Sequence, residues 1–237
     1  MGRIFQTRKA TMFKRYAKMA KQFTKIGREI VMAVKMGGPN PDGNPRLRMI
    51  MQNAKAVNMP KVNVESAIKR ASDKDTSNYE EIIYDGYAPH GVPVLVACTT
   101  NNPTRTVASV RLYFNRANGA LGTNGSVSFM FEHKALFKID VANFNAEDLE
   151  LELIDFGLEE ISLDEETNQF IIQTAFTDYG KMQTALEERK IPVLETTKTY
   201  IPTTTKELSE EQAAEVMAMI EKMEEDDDIE NVYHNIA

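Results

Sequence analysis

The sequence is poor in the groups from which cross-links and most active sites are built. Its 237 residues hold one cysteine, Cys98, which excludes an intramolecular disulfide framework and a cysteine-based zinc site. Cys98 lies within the apolar run Val94-Leu95-Val96-Ala97-Cys98, which reads as a buried strand carrying a packed core thiol. Only three histidines occur, His90, His133 and His234, scattered and outside any HExxH or GxSxG pattern. His90 falls in a turn and is expected to face solvent. Catalysis has few parts to work with, so no enzyme activity, cofactor or metal site is expected. No apolar stretch reaches the ~18 residues that a membrane span needs. The basic start lacks the hydrophobic segment and small-residue cleavage site of a secretory signal, and its pattern runs on into a structured domain. The expected location is the cytoplasm.

Acid is also missing from the first 28 residues. Residues 1–75 carry 17 Lys and Arg against five acids, a net +12, whereas the rest of the chain sums to −19. The overall charge of −7 hides this separation. One end is suited to a polyanion and the other keeps the protein in solution. Hydrophobic residues make up 42% of the chain, enough to build real cores.

Residues 8–36 read as one long helix. Phe13, Tyr16, Ala20, Phe23, Gly27, Ile30 and Val34 form an apolar stripe, and Lys14, Lys18, Lys21, Lys25 and Arg28 follow the same spacing on a separate face roughly 160° away. Gly37-Gly38-Pro39 ends it. Asn44-Pro45 starts a second helix as N-cap and first-turn proline, running to about Val57. A third covers about 62–71, and Asp73 to Asn78 is a polar linker. Residues 1–77 thus form a basic three-helix domain.

From Tyr79 the period becomes strand-like: Tyr79–Tyr87, a turn at Pro89-His90-Gly91, then Val92–Thr99. A helix over Thr106–Asn118 buries Val107, Val110, Leu112 and Phe114, and a strand covers Ser126–Glu132. Leu136–Val141, Ala146–Phe156, Leu158–Asp164, Gln169–Phe176, Tyr179–Arg189 and Val193–Ile201 give the order β-α-β-β-α-β, a ferredoxin-like unit. After it come the helix Glu207–Met223, an acidic run Glu224–Asp228 that reads as a solvated segment, and a short strand near Asn231–Ile236. That strand needs a sheet edge, which the segment 79–132 offers. The expected fold is α+β with three domains: 1–77 helical, 78–132 plus 206–237 in the middle, and 133–205 inserted into the middle one.

The basic face is the main functional signal. Arg8, Lys9, Lys14, Arg15, Lys18, Lys21, Lys25 and Arg28, widened by Arg46, Arg48, Lys69 and Arg70, are the residues expected to neutralise phosphates. A merely solvated helix face usually mixes its signs, and an anionic membrane surface requires an exposed apolar face that a three-helix domain buries. Gly122-Thr123-Asn124-Gly125-Ser126 shares GxxG with phosphate-holding loops. However, it runs from helix into strand and lacks the P-loop lysine, so it reads as an ordinary turn. The run Glu224–Asp228 lacks the alternating ligands and glycine of a calcium loop.

Many of these segments resemble the YebC family. The matching residues include Arg8-Lys9-Ala10, Phe23-Thr24-Lys25, Arg28-Glu29-Ile30, Gly37-Gly38, Asn44-Pro45-Arg46-Leu47-Arg48, Asn58-Met59-Pro60-Lys61 and Ala67-Ile68-Lys69-Arg70. They continue through Tyr79-Glu80-Glu81-Ile82, Arg105-Thr106-Val107, Val110-Arg111 and Gly125-Ser126-Val127. The resemblance covers residues 8 to about 132 in order. It departs at the start, where Gly2-Arg3-Ile4-Phe5-Gln6-Thr7 replaces the commoner Gly-His-Ser-Lys-Trp-Ala. It implies a helical domain followed by two α+β domains, the last inserted into the second. The implied function is that of a DNA-binding transcriptional regulator, or of a ribosome-associated, RNA-contacting translation factor that helps difficult sequences through. No reading face of Asn, Gln and Arg stands out, which favours contacts to phosphate and shape over base readout. A different class of reading makes the acidic α+β part an adaptor for a basic protein partner.

Overall fold

The computed structural model describes residues 3–72, 78–142 and 144–237, with side chains from Met19 onward. It divides into two compact units, Met1–Tyr79 and Glu80–Ala237.

The first unit is helical. Helix α1 (Arg3–Gly37) starts earlier than its apolar stripe requires, and two glycines end it for different reasons. Gly38 takes a left-handed φ of +85°, and the chain leaves the helix there. At Gly37 a Cβ would lie 2.8 Å from the Asn44 side chain, so only glycine fits. Buried Asn44 works on two helices at once. Its Oδ1 accepts from the Leu47 N–H at 3.1 Å, capping α2 (Pro45–Ala56), while its Nδ2 donates to the carbonyls of Ala33 and Gly38 at 2.8 and 2.9 Å. Helix α3 (Lys61–Ser72) completes the set, and α1 packs on both α2 and α3. Ile30, Ala33 and Val34 of α1, Leu47 and Ile50 of α2, and Val64 and Ala67 of α3 are all buried. Residues 73–77 of the expected linker lie outside the described residues.

The second unit opens with a hairpin, β1 (Glu80–Ala88) and β2 (Val92–Thr100), followed by α4 (Pro103–Arg116) and a two-residue strand β3 (Ala120–Leu121). Next come β4 (Phe131–Asp140), α5 (Ala146–Leu153), β5 (Leu158–Asp164), β6 (Gln169–Ala175), α6 (Tyr179–Glu188) and β7 (Val193–Pro202). Helix α7 (Glu210–Glu224) and strand β8 (Ile229–His234) close the chain. The sheets are antiparallel, with orders β3-β1-β2-β8 and β5-β6-β4-β7. The second order is that of the ferredoxin-like unit. The last strand does return to β2, with Leu95 opposite Tyr233. The class is α+β, a helical part followed by two sheets, as the sequence implies.

Strand β2 explains why its sequence is an unbroken apolar run. Val92, Val94, Val96 and Cys98 join the core with Val110 and Phe114 of α4 and Val216, Ile220 and Met223 of α7. Leu95, on its other side, joins Val127 and Phe131, with Tyr200 and Tyr233 packed against them. A strand covered on both faces has no polar side to show. In the second sheet, Ala135, Phe137 and Ile139 alternate inward against Leu149, Leu153, Met182 and Leu186.

Several expectations fail for reasons that are not local. The strand expected at Ser126–Glu132 does not form: 128–130 is a 3₁₀ turn, and the following strand runs unbroken from Phe131 to Asp140. Asp85 holds the preceding loop. Buried in β1, its Oδ2 accepts the N–H groups of Val127 and Ser128 at 2.9 and 3.0 Å, while its backbone carbonyl accepts from Gly122. Leu112, expected in the core, is 46% exposed, because α4 turns Thr106, Val110 and Phe114 inward instead. His90 is not simply solvent-facing, since its Nε2 lies 2.8 Å from Glu215 Oε2 of α7. The acidic run is not a free tail either. Asp226 accepts from the Tyr113 hydroxyl at 3.1 Å, and Asp228 is buried.

Candidate nucleic-acid interface

The helical unit carries the positive charge: its 17 Lys and Arg against five acids lie wholly on the Met1–Tyr79 side of the division. The side chains of Arg8, Lys9, Lys14, Arg15 and Lys18 lie outside the described residues, although the helix backbone runs through all five positions. The described basic residues are not equivalent. Lys21, Lys25 and Arg28 are half-buried, and Met32, on the same helical face one turn further on, is buried. The cationic face therefore closes before the end of α1. Lys69 and Arg70 are exposed on the last turn of α3, where cations also complement the helix dipole. Arg48 serves the fold. Its Nη1 donates to the carbonyls of Pro41 and Asp42 at 3.0 and 2.8 Å, fastening the turn before α2. Arg46 Nη1 lies 3.4 Å from Met36 Sδ.

Between α1 and α3 lies a cleft of about 370 Å³, a feature that charge periodicity did not reveal. Phe23, Gly27, Arg28 and Val31 line it from α1, where they share one side of the helix. Asn63, Ser66 and Arg70 face them from α3 at spacings of three and four, all three exposed. Tyr79 closes one end, its ring 5.6 Å below the Arg28 guanidinium. Lys35 Nζ donates to Asn78 Oδ1 at 2.8 Å, which holds the chain before Tyr79 against α1. The polar spacing Asn63-Ser66-Arg70 was the available sequence signal. Nothing local ties Tyr79 to it.

The loop at Gly122–Ser126 is not a phosphate cradle in this arrangement. Asp85 itself receives the N–H groups that follow the loop, so a protein carboxylate stands where an anion would go. The histidines are similarly engaged. His133 is stacked between Phe176 and Tyr200, with ring centroids 3.9 and 4.4 Å away, and burial lowers its pKa, with Lys198 adding to the effect. Among the described residues no cluster of three or more His, Cys, Asp or Glu is placed to hold a metal ion, and no helix is long and apolar enough to cross a membrane.

A strongly basic helical unit preceding two antiparallel α+β sheets, one of them completed by the last strand of the chain, defines the class. The chain belongs to the TACO1/YebC family: residues 3–74 match the model of its N-terminal domain, and residues 79–236 that of its second and third domains. A protein from Flavobacterium johnsoniae is 55% identical over all of this chain and 99% of its own length. One from Anaeromyxobacter dehalogenans is 50% identical over the full length of both. Each is named a probable transcriptional regulatory protein. The crystal structure of a conserved hypothetical protein from Aquifex aeolicus is similar with a TM-score of 0.77 at 37% identity, covering 92% of this chain and 90% of that one.

Proposed function

We propose that this chain is a non-enzymatic, nucleic-acid-binding regulator of gene expression that docks through its helical unit. One observation carries the reading: the division between the two compact units is also the division of charge, +12 on one side and −19 on the other. The names of the relatives agree with a regulatory role. Arg8, Lys9, Lys14, Arg15, Lys18, Lys21, Lys25, Arg28, Lys69 and Arg70 form the docking set, with Arg46 and Arg48 at its edge. Cations on a rigid helix neutralise phosphates and release counterions, which gives affinity without sequence readout. Repulsion between the acidic unit and the same polyanion orients the molecule on its target.

If six of these cations meet phosphates, log K against log salt for a labelled duplex falls with a slope of roughly −5. A slope near zero overturns the reading. Reversing Lys18, Lys21 and Lys25 to Glu abolishes binding. Retention of a basic protein partner by a chain lacking this charge points instead to the adaptor role of the acidic unit, with its net charge of −19. Crosslinking in cells then separates the two targets: trapped DNA fits a transcriptional role, and trapped ribosomal or messenger RNA the translational one.

A further inference from the structure

Gly27 sits in the middle of a 35-residue helix, where glycine is an unfavourable choice. No neighbour demands it. A Cβ at this position would meet only Arg70 Nη2, at 4.0 Å, an ordinary contact distance. This contrasts with Gly37, which Asn44 crowds at 2.8 Å. What a side chain at 27 would enter is the cleft between α1 and α3.

That cleft has the chemistry of a nucleotide pocket. Its volume of about 370 Å³ lies within the range of small-ligand sites. Phe23, Val31 and Met59 give it an apolar wall. The Arg28 guanidinium lies over the Tyr79 ring, 5.6 Å from its centroid, and unpaired bases stack on aromatic rings and guanidinium planes. Asn63 and Ser66 bring an amide and a hydroxyl, able to donate to or accept from a base edge, and Arg70 brings a cation at the rim for phosphate. Duplexes keep their bases stacked inside; single-stranded RNA does not.

We infer that this cleft receives one unpaired RNA nucleotide, its base beside Gly27 and Tyr79 and its edge read by Asn63 and Ser66. The inference rests on the helical unit's binding nucleic acid and adds a preference for single strands that a phosphate-only surface lacks.

The test uses the full 237-residue chain and two fluorescein-labelled probes, a 12-nucleotide single-stranded RNA and a 12-base-pair RNA duplex. Fluorescence anisotropy is expected to show tighter binding to the single strand. Gly27→Leu fills the cleft without removing any charge. It is expected to weaken single-strand binding at least tenfold and leave duplex binding within twofold. Asn63 and Ser66 are exposed, so the double variant Asn63→Ala/Ser66→Ala leaves the fold intact and decides the matter should Gly27→Leu misfold. It is expected to weaken only single-strand binding, about threefold. Equal losses on both probes, or none on either, overturn the cleft while leaving the docking surface standing. Failure of the unaltered chain to bind either probe at low salt overturns both.

Discussion

Arg105 Nη2 lies 2.7 Å from Asp228 Oδ2, joining the first turn of α4 to the residue just before β8. The same oxygen accepts from the hydroxyls of Thr106 at 2.9 Å and Thr100 at 3.2 Å, and the Asp228 carbonyl accepts from the Thr99 N–H. One buried carboxylate thereby fixes the return of the chain's end to a sheet begun more than a hundred residues earlier.

Asp228→Ala removes the acceptor shared by two buried hydroxyls and is expected to destabilise the chain by about 1–3 kcal/mol. The Arg105 side chain is 54% exposed, so Arg105→Ala is expected to remove under ~1 kcal/mol. Chemical denaturation of both variants checks the order. Equal effects show that the ion pair, and not the hydroxyl cluster, carries the lock.

Asp85 is the corresponding anchor of the 122–128 loop. Asp85→Ala orphans the Val127 and Ser128 N–H groups and is expected to cost about 2 kcal/mol. Asp85→Asn keeps an acceptor oxygen and recovers part of the loss. Hydrogen exchange at Val127 and Ser128 reads the effect directly. Unchanged protection in Asp85→Ala argues against the anchor.

Two glycines are expected to respond with opposite sign. Gly27→Ala gains helix propensity without a clash and stabilises by about 0.5–1 kcal/mol. At Gly86 a Cβ would lie 2.5 Å from Phe114 Cζ and 2.9 Å from the Ala120 carbonyl oxygen, so Gly86→Ala destabilises by at least ~1–3 kcal/mol through displacement of a core ring. Thermal melts of the two variants on either side of the unaltered chain are the expected result.

Stability is expected to fall on acidification. Burial lowers the pKa of His133, with Lys198 opposing its protonation and Glu81 favouring it. Burial also lowers His234, partly offset by Glu224. A depressed folded pKa means that the unfolded chain binds the proton first. The contribution of the neutral rings is complete above 6.5, the ordinary value, and is lost as pH drops below it. His133→Phe keeps the stack between Phe176 and Tyr200 and is expected to flatten the pH dependence of the denaturation midpoint between about pH 7 and 5.5. An unchanged slope assigns it elsewhere.

Much of the fold was legible because its signals are local. Asn44-Pro45 starts α2 by a cap that needs only the next three residues, and the same logic applies to two starts that periodicity misplaced. Asn102-Pro103 caps α4 three residues ahead of Thr106, and Ser209 with Gln212 forms a capping box that begins α7 at Glu210 rather than Glu207. Of the candidate interface, the basic residues are legible as a charge pattern. The cleft was not, because it needs Tyr79 beside Arg28 and three α3 side chains opposite Gly27.

The sequence alone determined most of the helices and strands, the ferredoxin-like order and the charge separation, since periodicity, capping and net charge are properties of neighbouring residues. Tertiary structure decided which of those residues meet. It gave Asp85 to the loop amides, Asp228 to α4 and Arg48 to the turn before α2. Burial and hydrogen bonding between distant segments are settled only by packing, and no local pattern encodes them.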